Sequence, residues 1–235
     1  MTGRFVLLAI SSLMLLPGCG GATEAGTSES LDGLSAAQVL KKARAAANSA
    51  SSVHFVAHIV EAGDDPVDID VHISGSDAAG TVGSGGHTLK VRLVGQSVYL
   101  QGDQQFWVDS AGAEVARLMD GKWLKGSASD PKLKKFAELA SLDSLIEELL
   151  QPDGKVTRVK GRNVDGQQTV GLHDTAESEN GTLYVANADK AYPLLVVPDP
   201  GSDSQGRAEF SDWDEKVTVS APPAGQVVDV DKLAS

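Results

Sequence analysis

Strict alternation of apolar and polar residues is the feature that most limits the fold of this chain. In residues 67–73, valines and isoleucines alternate with two aspartates and a histidine, and residues 87–94 and 53–60 carry similar rows. Successive side chains of a strand point to opposite faces. Each run therefore predicts a strand with one apolar and one wet face, as in an antiparallel meander that packs on a core.

Turn signals and further strand patterns extend this meander. Asp64-Asp65-Pro66, the glycine-rich stretch 83–86 and Gly95-Gln96 predict turns, and Asp165-Gly166 predicts a hairpin. Further strands are predicted over residues 97–101, 156–164, 168–172, 182–186, 192–197, 207–213 and 217–219. We expect the final residues, 224–235, to form a loose tail.

Helical spacing marks two other regions. Ser35 is a capping residue, and the apolar residues that follow it predict a one-sided helix of about 13 residues that lies on the sheet. The middle of the chain predicts a block of helices, with a break near Ser141, which can cap the last of them. Helices gathered in a block indicate an α+β fold with an antiparallel sheet rather than a doubly wound parallel one.

The first residues have the organisation of a secretory signal peptide. Arg4 precedes an apolar run from Phe5 to Leu16, which is shorter than the roughly 20 residues that span a bilayer. The run ends in Leu16-Pro17-Gly18-Cys19, which resembles the lipobox of bacterial lipoproteins. We therefore predict a signal peptide over residues 1–18, a diacylglyceryl anchor on Cys19 and attachment to the extracytoplasmic side of the cell membrane. An ordinary signal peptide with an incidental cysteine is the alternative.

The composition of the chain limits the classes of fold and function that are open to it. Apolar residues make up 41% of it, enough for a core, and the formal net charge of −12 argues against binding nucleic acid. The single cysteine excludes an intramolecular disulfide. Residues 20–30 have no large apolar side chain, so we predict the lipidated cysteine and a flexible tether over residues 19–33, followed by one domain over residues 34–223.

Motifs for catalysis are absent from the sequence. It contains no G-x-S-x-G, no G-x-x-x-x-G-K-[ST], no G-x-G-x-x-G and no H-E-x-x-H. His54, His58 and His72 could share one strand face with Asp68 and Asp70, a set able to bind a divalent metal. That face is the solvent side, however, and weak cross-strand pairs are the simpler interpretation. We predict no catalytic residue, no metal and no cofactor.

Short segments spread along the chain resemble the LppX/LprG-type (LppX_LprAFG) lipoproteins of actinobacteria. They stand in the expected order, behind the lipobox: Val53-His-Phe55, Gly95-Gln-Ser-Val-Tyr99, Phe106-Trp107, Gly121-Lys-Trp-Leu124, Val164-Asp-Gly-Gln167, Leu183-Tyr-Val-Ala186, Ala191-Tyr-Pro-Leu194 and Phe210-Ser-Asp-Trp213. The resemblance implies a half-open antiparallel barrel with helices covering its concave face, similar to the LolA/LolB lipoprotein carriers. It also implies that the space between sheet and helices can hold acyl chains of lipids or glycolipids, and it carries over no catalytic residue.

Two functions remain open from the sequence. In the first, the protein is a membrane-anchored lipoprotein that binds or carries lipid in an apolar cavity; in the second, it is a non-enzymatic interaction or sensor lipoprotein with a closed core and a protein partner of unknown identity. The same apolar rows serve either function. The candidates for the sheet wall of a cavity are Phe55, Ile59, Ile69, Val71, Ile73, Leu89, Val91 and Leu93, and those for the helical lid are Leu133, Phe136, Leu142, Leu145, Ile146 and Leu149.

Overall fold

The computed structural model describes residues 30–176 and 180–230. The signal peptide and Cys19, which the sequence predicts, lie outside these residues. The described helices are α1 (Ala36–Ser49), α2 (Gln104–Ala111), α3 (Ala113–Met119), α4 (Lys134–Leu139) and α5 (Leu142–Leu150). None of them combines the length and the apolar character needed to cross a membrane.

Thirteen strands of the described residues form one large sheet. They are β1 (Ser52–Glu61), β2 (Val67–Ser74), β3 (Asp77–Ser84), β4 (His87–Val94), β5 (Ser97–Gln101), β6 (Trp123–Ser127), β7 (Val156–Val159), β8 (Asn163–Val164), β9 (Gln167–Asp174), β10 (Gly181–Ala186), β11 (Pro193–Pro198), β12 (Ser204–Ser211) and β13 (Val227–Asp229). The order is β13-β6-β5-β4-β3-β2-β1-β12-β11-β10-β9-β7, with β8 beside β9. Every pairing is antiparallel except that of β13 with β6. The sheet is open, and the α+β class expected from the sequence is confirmed.

Helix α1 begins where the sequence predicts. The Ser35 hydroxyl accepts a hydrogen bond from the Gln38 amide, and the Gln38 side chain accepts one from the Ser35 amide, which completes a capping box. Val39, Ala43 and Ala47 then face the core, and all three are fully buried. The small alanines let α1 lie close to its neighbours, and it packs against α5 and β7.

The faces of β1 and β2 follow the alternation in the sequence. Phe55 pairs with Val71, and both side chains are buried on the helix-covered face. On the opposite face, His54 Nε2 lies 2.8 Å from Asp70 Oδ1, and His58 Nδ1 lies 2.6 Å from Asp68 Oδ1. The predicted division into an apolar and a wet face is therefore confirmed for these strands.

Strand β3 was not predicted from the sequence. It carries alanine, glycine and threonine where its neighbours carry valine and isoleucine, and Ala78 is its buried apolar residue. Gly80 pairs with Val71, and a Cβ atom there would lie 2.0 Å from the Asp70 carbonyl oxygen. Backbones approach that closely only without a side chain, so the small residues that weaken the hydrophobic pattern of this strand also permit its close contact with β2.

Helix α2 and strand β6 were also not predicted. Asp103 caps α2, since its carboxylate accepts a hydrogen bond from the Phe106 amide at 2.7 Å. Trp107 of α2 packs with Ala116 and Met119 of α3 in a small cluster separate from the main core. This cluster covers the end of the sheet where β6 lies, because Leu124 and Val228 pack against it.

The structure corrects the C-terminal predictions. Residues 217–219 form no strand, and Arg92, which stacks over the Trp123 ring, donates a hydrogen bond to the Ser220 carbonyl oxygen nearby. The expected loose tail instead contains a short 3-10 turn at Ala224–Gln226 and then β13, which pairs with β6 in parallel. The predicted strand over 156–164 is interrupted and forms β7 and β8.

The ordered fold begins before the expected boundary at residue 34. Leu31 is 1% exposed and belongs to the main core. Its amide donates to Asn187 Oδ1 at 2.6 Å, and its carbonyl oxygen accepts from Arg158 Nη1 at 2.9 Å. Leu31 therefore holds the chain against β7 and the turn after β10, within the stretch that the sequence assigned to the tether.

Candidate functional site

A cavity of about 300 Å³ lies between the sheet and the helices α1 and α5. The C-terminal strands β9 to β12 and the end of β1 supply its sheet wall, and β7 and the segment after α5 close one side. This volume is at the lower end of the range of about 300–1,000 Å³ for small-molecule sites. The size is that of a site for one ligand rather than a packing defect.

Most of the cavity lining is apolar. The residues that line it come from six strands, two helices and adjoining loops, and the apolar ones are Leu40, Ile59, Leu149, Leu150, Pro152, Val156, Leu172, Leu183, Val196, Pro198 and Ala208. Several are only half-buried, among them Ile59, Leu149 and Val196, although they pack against the main core. Apolar side chains left partly uncovered inside a fold are the surface that an apolar ligand would cover.

Polar residues complete the cavity lining. The exposed members are Glu61, Gln151, Asp153, Gln205 and Arg207, and they are joined by the partly buried Asp174, Asn180 and Ser202. The Asn180 Oδ1 atom is buried and has no hydrogen-bond partner among the described residues. A buried polar atom without a partner is costly in free energy, so this oxygen offers an unused acceptor to a ligand that carries a hydroxyl or amide.

Arg44 links helix α1 to the C-terminus of helix α5. Its Nε and Nη2 atoms both donate to the Leu150 carbonyl oxygen, the former at 2.9 Å, and Nη2 donates to Gln151 Oε1 at 2.8 Å. These acceptors lie at the C-terminus of α5, where carbonyl oxygens have no partner within the helix and where a cation is favoured. One arginine on α1 thus fixes the end of α5 beside the cavity.

Asp174 holds the segment that follows α5 in place. Its Oδ2 atom accepts hydrogen bonds from the Asp153 amide at 2.9 Å and the Gly154 amide at 3.3 Å, and Oδ1 accepts from the Ala176 amide at 3.2 Å. The carboxylate therefore holds the chain at the end of β9, which is a structural role beside the cavity.

The predicted cavity residues divide into two groups. Ile59 and Leu149 line the cavity. The other candidates lie in the main core or pack against it: Phe55, Ile69, Val71, Ile73, Leu89, Val91, Leu93, Leu133, Phe136, Leu142, Leu145 and Ile146. In the present structure, the N-terminal strands therefore meet the helices in a closed core, and the open space lies beside the C-terminal strands.

Sequence reasoning missed most of the cavity wall. Leu172, Leu183, Val196 and Ala208 stand in strands that were predicted, but they were not assigned to the wall. No local pattern in the sequence marks them as wall residues, because their position depends on the pairing of β12 with β1, which places Ala208 directly opposite Ala57 and joins both halves of the sheet on one apolar face.

The predicted histidine cluster is partly assembled on the outer face. His54 and His72 stack with ring centroids 4.0 Å apart. Asp212, which sequence reasoning did not connect with them, lies next to both, whereas His58 forms a separate pair with Asp68. Asp212 has a positive φ of 51°, and nothing in the local pattern indicates that turn.

No protein-family model matches the chain, and no curated protein is significantly similar to it in sequence. Solved structures do resemble it. LprF from Mycobacterium bovis superposes with a TM-score of 0.56 and 15% identity over 80% of this chain and 96% of LprF. The Mycobacterium tuberculosis lipoprotein LppX gives a TM-score of 0.51 and 15% identity over 79% of this chain and 98% of LppX. The chain therefore has the fold of the LppX/LprG-type lipoproteins, as the resemblance in sequence predicts.

Proposed function

We propose that this protein is a membrane-anchored envelope lipoprotein that binds an acyl chain of a lipid or glycolipid in the cavity between sheet and lid. The observation that carries the proposal is the cavity lining, in which apolar side chains predominate and polar ones such as Asn180 and Arg207 also take part. An amphiphile likewise combines an apolar chain with a polar head. The fold shared with LppX, itself described as a lipoprotein, supports the proposal.

The energetics favour such a ligand. Each methylene removed from water contributes about 0.8 kcal/mol, and the half-buried side chains inside the cavity would be covered at the same time. The polar headgroup of the lipid would lie beside the polar residues of the cavity lining, among them Asn180 and Arg207. In this proposal the protein binds or carries a lipid without changing it chemically.

The N-terminal sequence supports the location in the proposal. A thioether-linked diacylglyceryl group on Cys19 supplies the two chains that stable anchoring requires. The acidic domain would not itself be attracted to anionic headgroups. The anchor would therefore hold the domain at the extracytoplasmic membrane surface, close to a source of lipid.

Filling the cavity tests the proposal. Val196 is half-buried and lines the cavity, so Val196→Trp should occupy the space and lower the amount of co-purified lipid at least fivefold. The measurement is lipid mass spectrometry on the full chain purified from native membranes, with bound lipid expressed per mole of protein.

Val82→Trp is the matched control. Val82 is also a half-buried valine packed against the core, but it lies on β3 away from the cavity. We expect this variant to keep its lipid. Equal losses in both variants would show that general unfolding releases the lipid, and a wild-type protein free of lipid would contradict the proposal. Lipid-free protein that cross-links in cells to one envelope protein would support the interaction or sensor function instead.

A further inference from the structure

The outer face of the sheet carries a cluster that the proposed lipid site does not use. His54 on β1 lies directly opposite His72 on β2, with the two rings stacked. Asp212 follows β12 and reaches the same place through its positive φ. One ligand atom from each of these three side chains lies within 4.8 Å of the other two. Three strands that are neighbours in the sheet thus bring together two imidazoles and a carboxylate.

Asp70 orients the His54 ring. An ionised carboxylate only accepts hydrogen bonds, so Nε2 is the donor in the contact of 2.8 Å between His54 Nε2 and Asp70 Oδ1. The other ring nitrogen, Nδ1, lies 3.3 Å from Ser211 Oγ and 3.6 Å from Asp212 Oδ2. Metal-binding histidines are commonly oriented by a carboxylate that accepts from their second ring nitrogen. His54 therefore turns Nδ1 toward Asp212, and a bound ion would replace the contact of Nδ1 with Ser211.

His72 has an unused ring nitrogen. Its Nδ1 atom is buried, and it has no hydrogen-bond partner among the described residues. A buried nitrogen without a partner loses its hydration without compensation. A bound cation would order the ring and polarise it, and it would turn this uncompensated group into part of a coordination site.

We propose that His54, His72 and Asp212 bind a divalent transition-metal ion, with zinc as the representative ion. Two imidazoles and one carboxylate suit zinc, nickel or copper, whereas magnesium and calcium prefer sites made only of oxygen. Three protein ligands leave a fourth position for water or an external ligand. The site stands on the opposite side of the sheet from the cavity, so it is independent of the lipid-binding proposal.

The distances allow such a site after small side-chain rotations. Bonds of about 2.1 Å to tetrahedral zinc place the ligand atoms roughly 3.4 Å apart. The three ligand atoms, within 4.8 Å of one another, must therefore approach by up to about 1.4 Å. This approach requires the stacked rings of His54 and His72 to rotate. The carboxylates of Asp70 and Asp212 make the electrostatic potential of the site favourable to a cation.

The proposal is tested by isothermal titration calorimetry. The full chain, in detergent and first treated with a chelator, is titrated with zinc chloride. We expect one zinc ion per chain and no binding of magnesium under the same conditions. His72→Asn and Asp212→Asn should each weaken zinc binding at least tenfold. Cobalt bound to the wild type should give the visible absorption of a tetrahedral site, and this absorption should be lost in both variants.

His58→Asn is the matched control, because His58 lies on the same face of β1 but pairs with Asp68 outside the cluster. This variant should keep wild-type zinc affinity. Absence of zinc binding by the wild type would overturn the proposal, as would equal weakening in His58→Asn and His72→Asn. Since Asp212 is outside the β1–β2 pair, Asp212→Asn still tests the site if His72→Asn fails to fold. Zinc affinity unchanged in a folded Asp212→Asn variant would also refute the proposed ligand set.

Discussion

Asp214 connects three parts of the chain at the end of β12. It accepts hydrogen bonds from Lys190 Nζ at 2.5 Å, the Tyr192 hydroxyl at 2.6 Å and the Ser51 amide at 2.8 Å. The hydrogen bond from Lys190, followed by those from Tyr192 and Ser51, holds the pKa of the Asp214 carboxyl well below its ordinary value. The same contact with Asp214 raises the pKa of Lys190.

The pH dependence of this cluster follows from the two pKa directions. Because the Asp214 pKa is lowered in the folded state, its stabilising effect is complete above an unfolded pKa of about 4 and is lost as the pH falls further. Because the Lys190 pKa is raised, its effect is complete below about pH 10 and is lost as the pH rises through the raised value. The contacts should therefore be intact throughout the neutral range.

Asp214→Asn should lower the melting temperature at pH 7, because the charge that attracts Lys190 is removed. The difference from the wild type should shrink as the pH falls below about 4, and thermal melts at several pH values measure it. Asp203→Asn, at an exposed position in the turn before β12, serves as control and should match the wild type at pH 7. A difference between Asp214→Asn and the wild type that stays constant down to strongly acid pH would contradict this assignment.

At the scale of single residues, the sequence predicted the strand faces and the turns between strands, such as Gly95-Gln96 and Asp165-Gly166, but not the turn at Asp212. The inward side of Phe55 and Val71 and the outward side of His54 and Asp70 follow from the two-residue period of a strand. The position of Asp212 does not, because it depends on a left-handed turn formed after the strand ends. The same limit explains why Asn180 was not recognised: its unused oxygen is a property of its surroundings, not of its neighbours in sequence.

At the scale of elements, the contribution of the α1–α5 link to the free energy of unfolding can be measured. Arg44→Met keeps much of the aliphatic length but removes the donors to the C-terminus of α5. Hydrogen bonds from charged donors contribute about 1.5–3 kcal/mol, so we expect the free energy of unfolding to fall by about 1–3 kcal/mol. Amide hydrogen exchange in α5 should accelerate more than exchange in β1.

Lys41→Met provides the comparison for this prediction. Lys41 stands on the exposed side of the same helix, so its replacement should leave both the unfolding free energy and exchange in α5 nearly unchanged. If Arg44→Met behaves like Lys41→Met in denaturant titration, Arg44 does not hold the lid in solution.

The elements that the sequence predicted are those with large side chains at regular spacing. β1, β2 and β4 have β-branched or leucine rows, and Ser141 marks the break before α5, where its hydroxyl accepts from the Ser144 amide at 3.4 Å. β3 was missed because alanine and glycine give no hydrophobic signal. β13 was missed because three residues are too few to show a period, and its pairing with β6 depends on distant parts of the chain.

At the scale of the whole molecule, periodicity identified the apolar layer but not the gap inside it. A closed core and a cavity wall require the same residues facing the same way, and only the distance between sheet and helices separates them. That distance depends on how α5 is held by Arg44 and how the chain returns at Asp174. The class of fold could therefore be predicted, whereas the position of the cavity beside the C-terminal strands could not.

The proposed anchor gives a prediction for the intact protein. Cys19→Ala removes the sulfur that would be acylated, so the variant should move from the membrane fraction to the soluble or secreted fraction when cells are fractionated and blotted. Thr27→Ala, in the same N-terminal segment with Cys19 retained, should stay with the membrane. A Cys19→Ala variant that remains fully membrane-bound would refute lipidation as the anchor.

If Cys19 carries the proposed anchor, the burial of Leu31 would limit how far the domain can move from the bilayer. Residues 20–30 would then link the anchor to the domain. A chain spans at most about 3.5 Å per residue, so Leu31 would stay within roughly 40 Å of the membrane surface. The amide and carbonyl contacts of Leu31 place this attachment beside β7, whose Val156 lines the cavity. The anchored domain would then turn about a point next to its own cavity, and a donor or acceptor of the proposed lipid would have to come within that distance of the membrane.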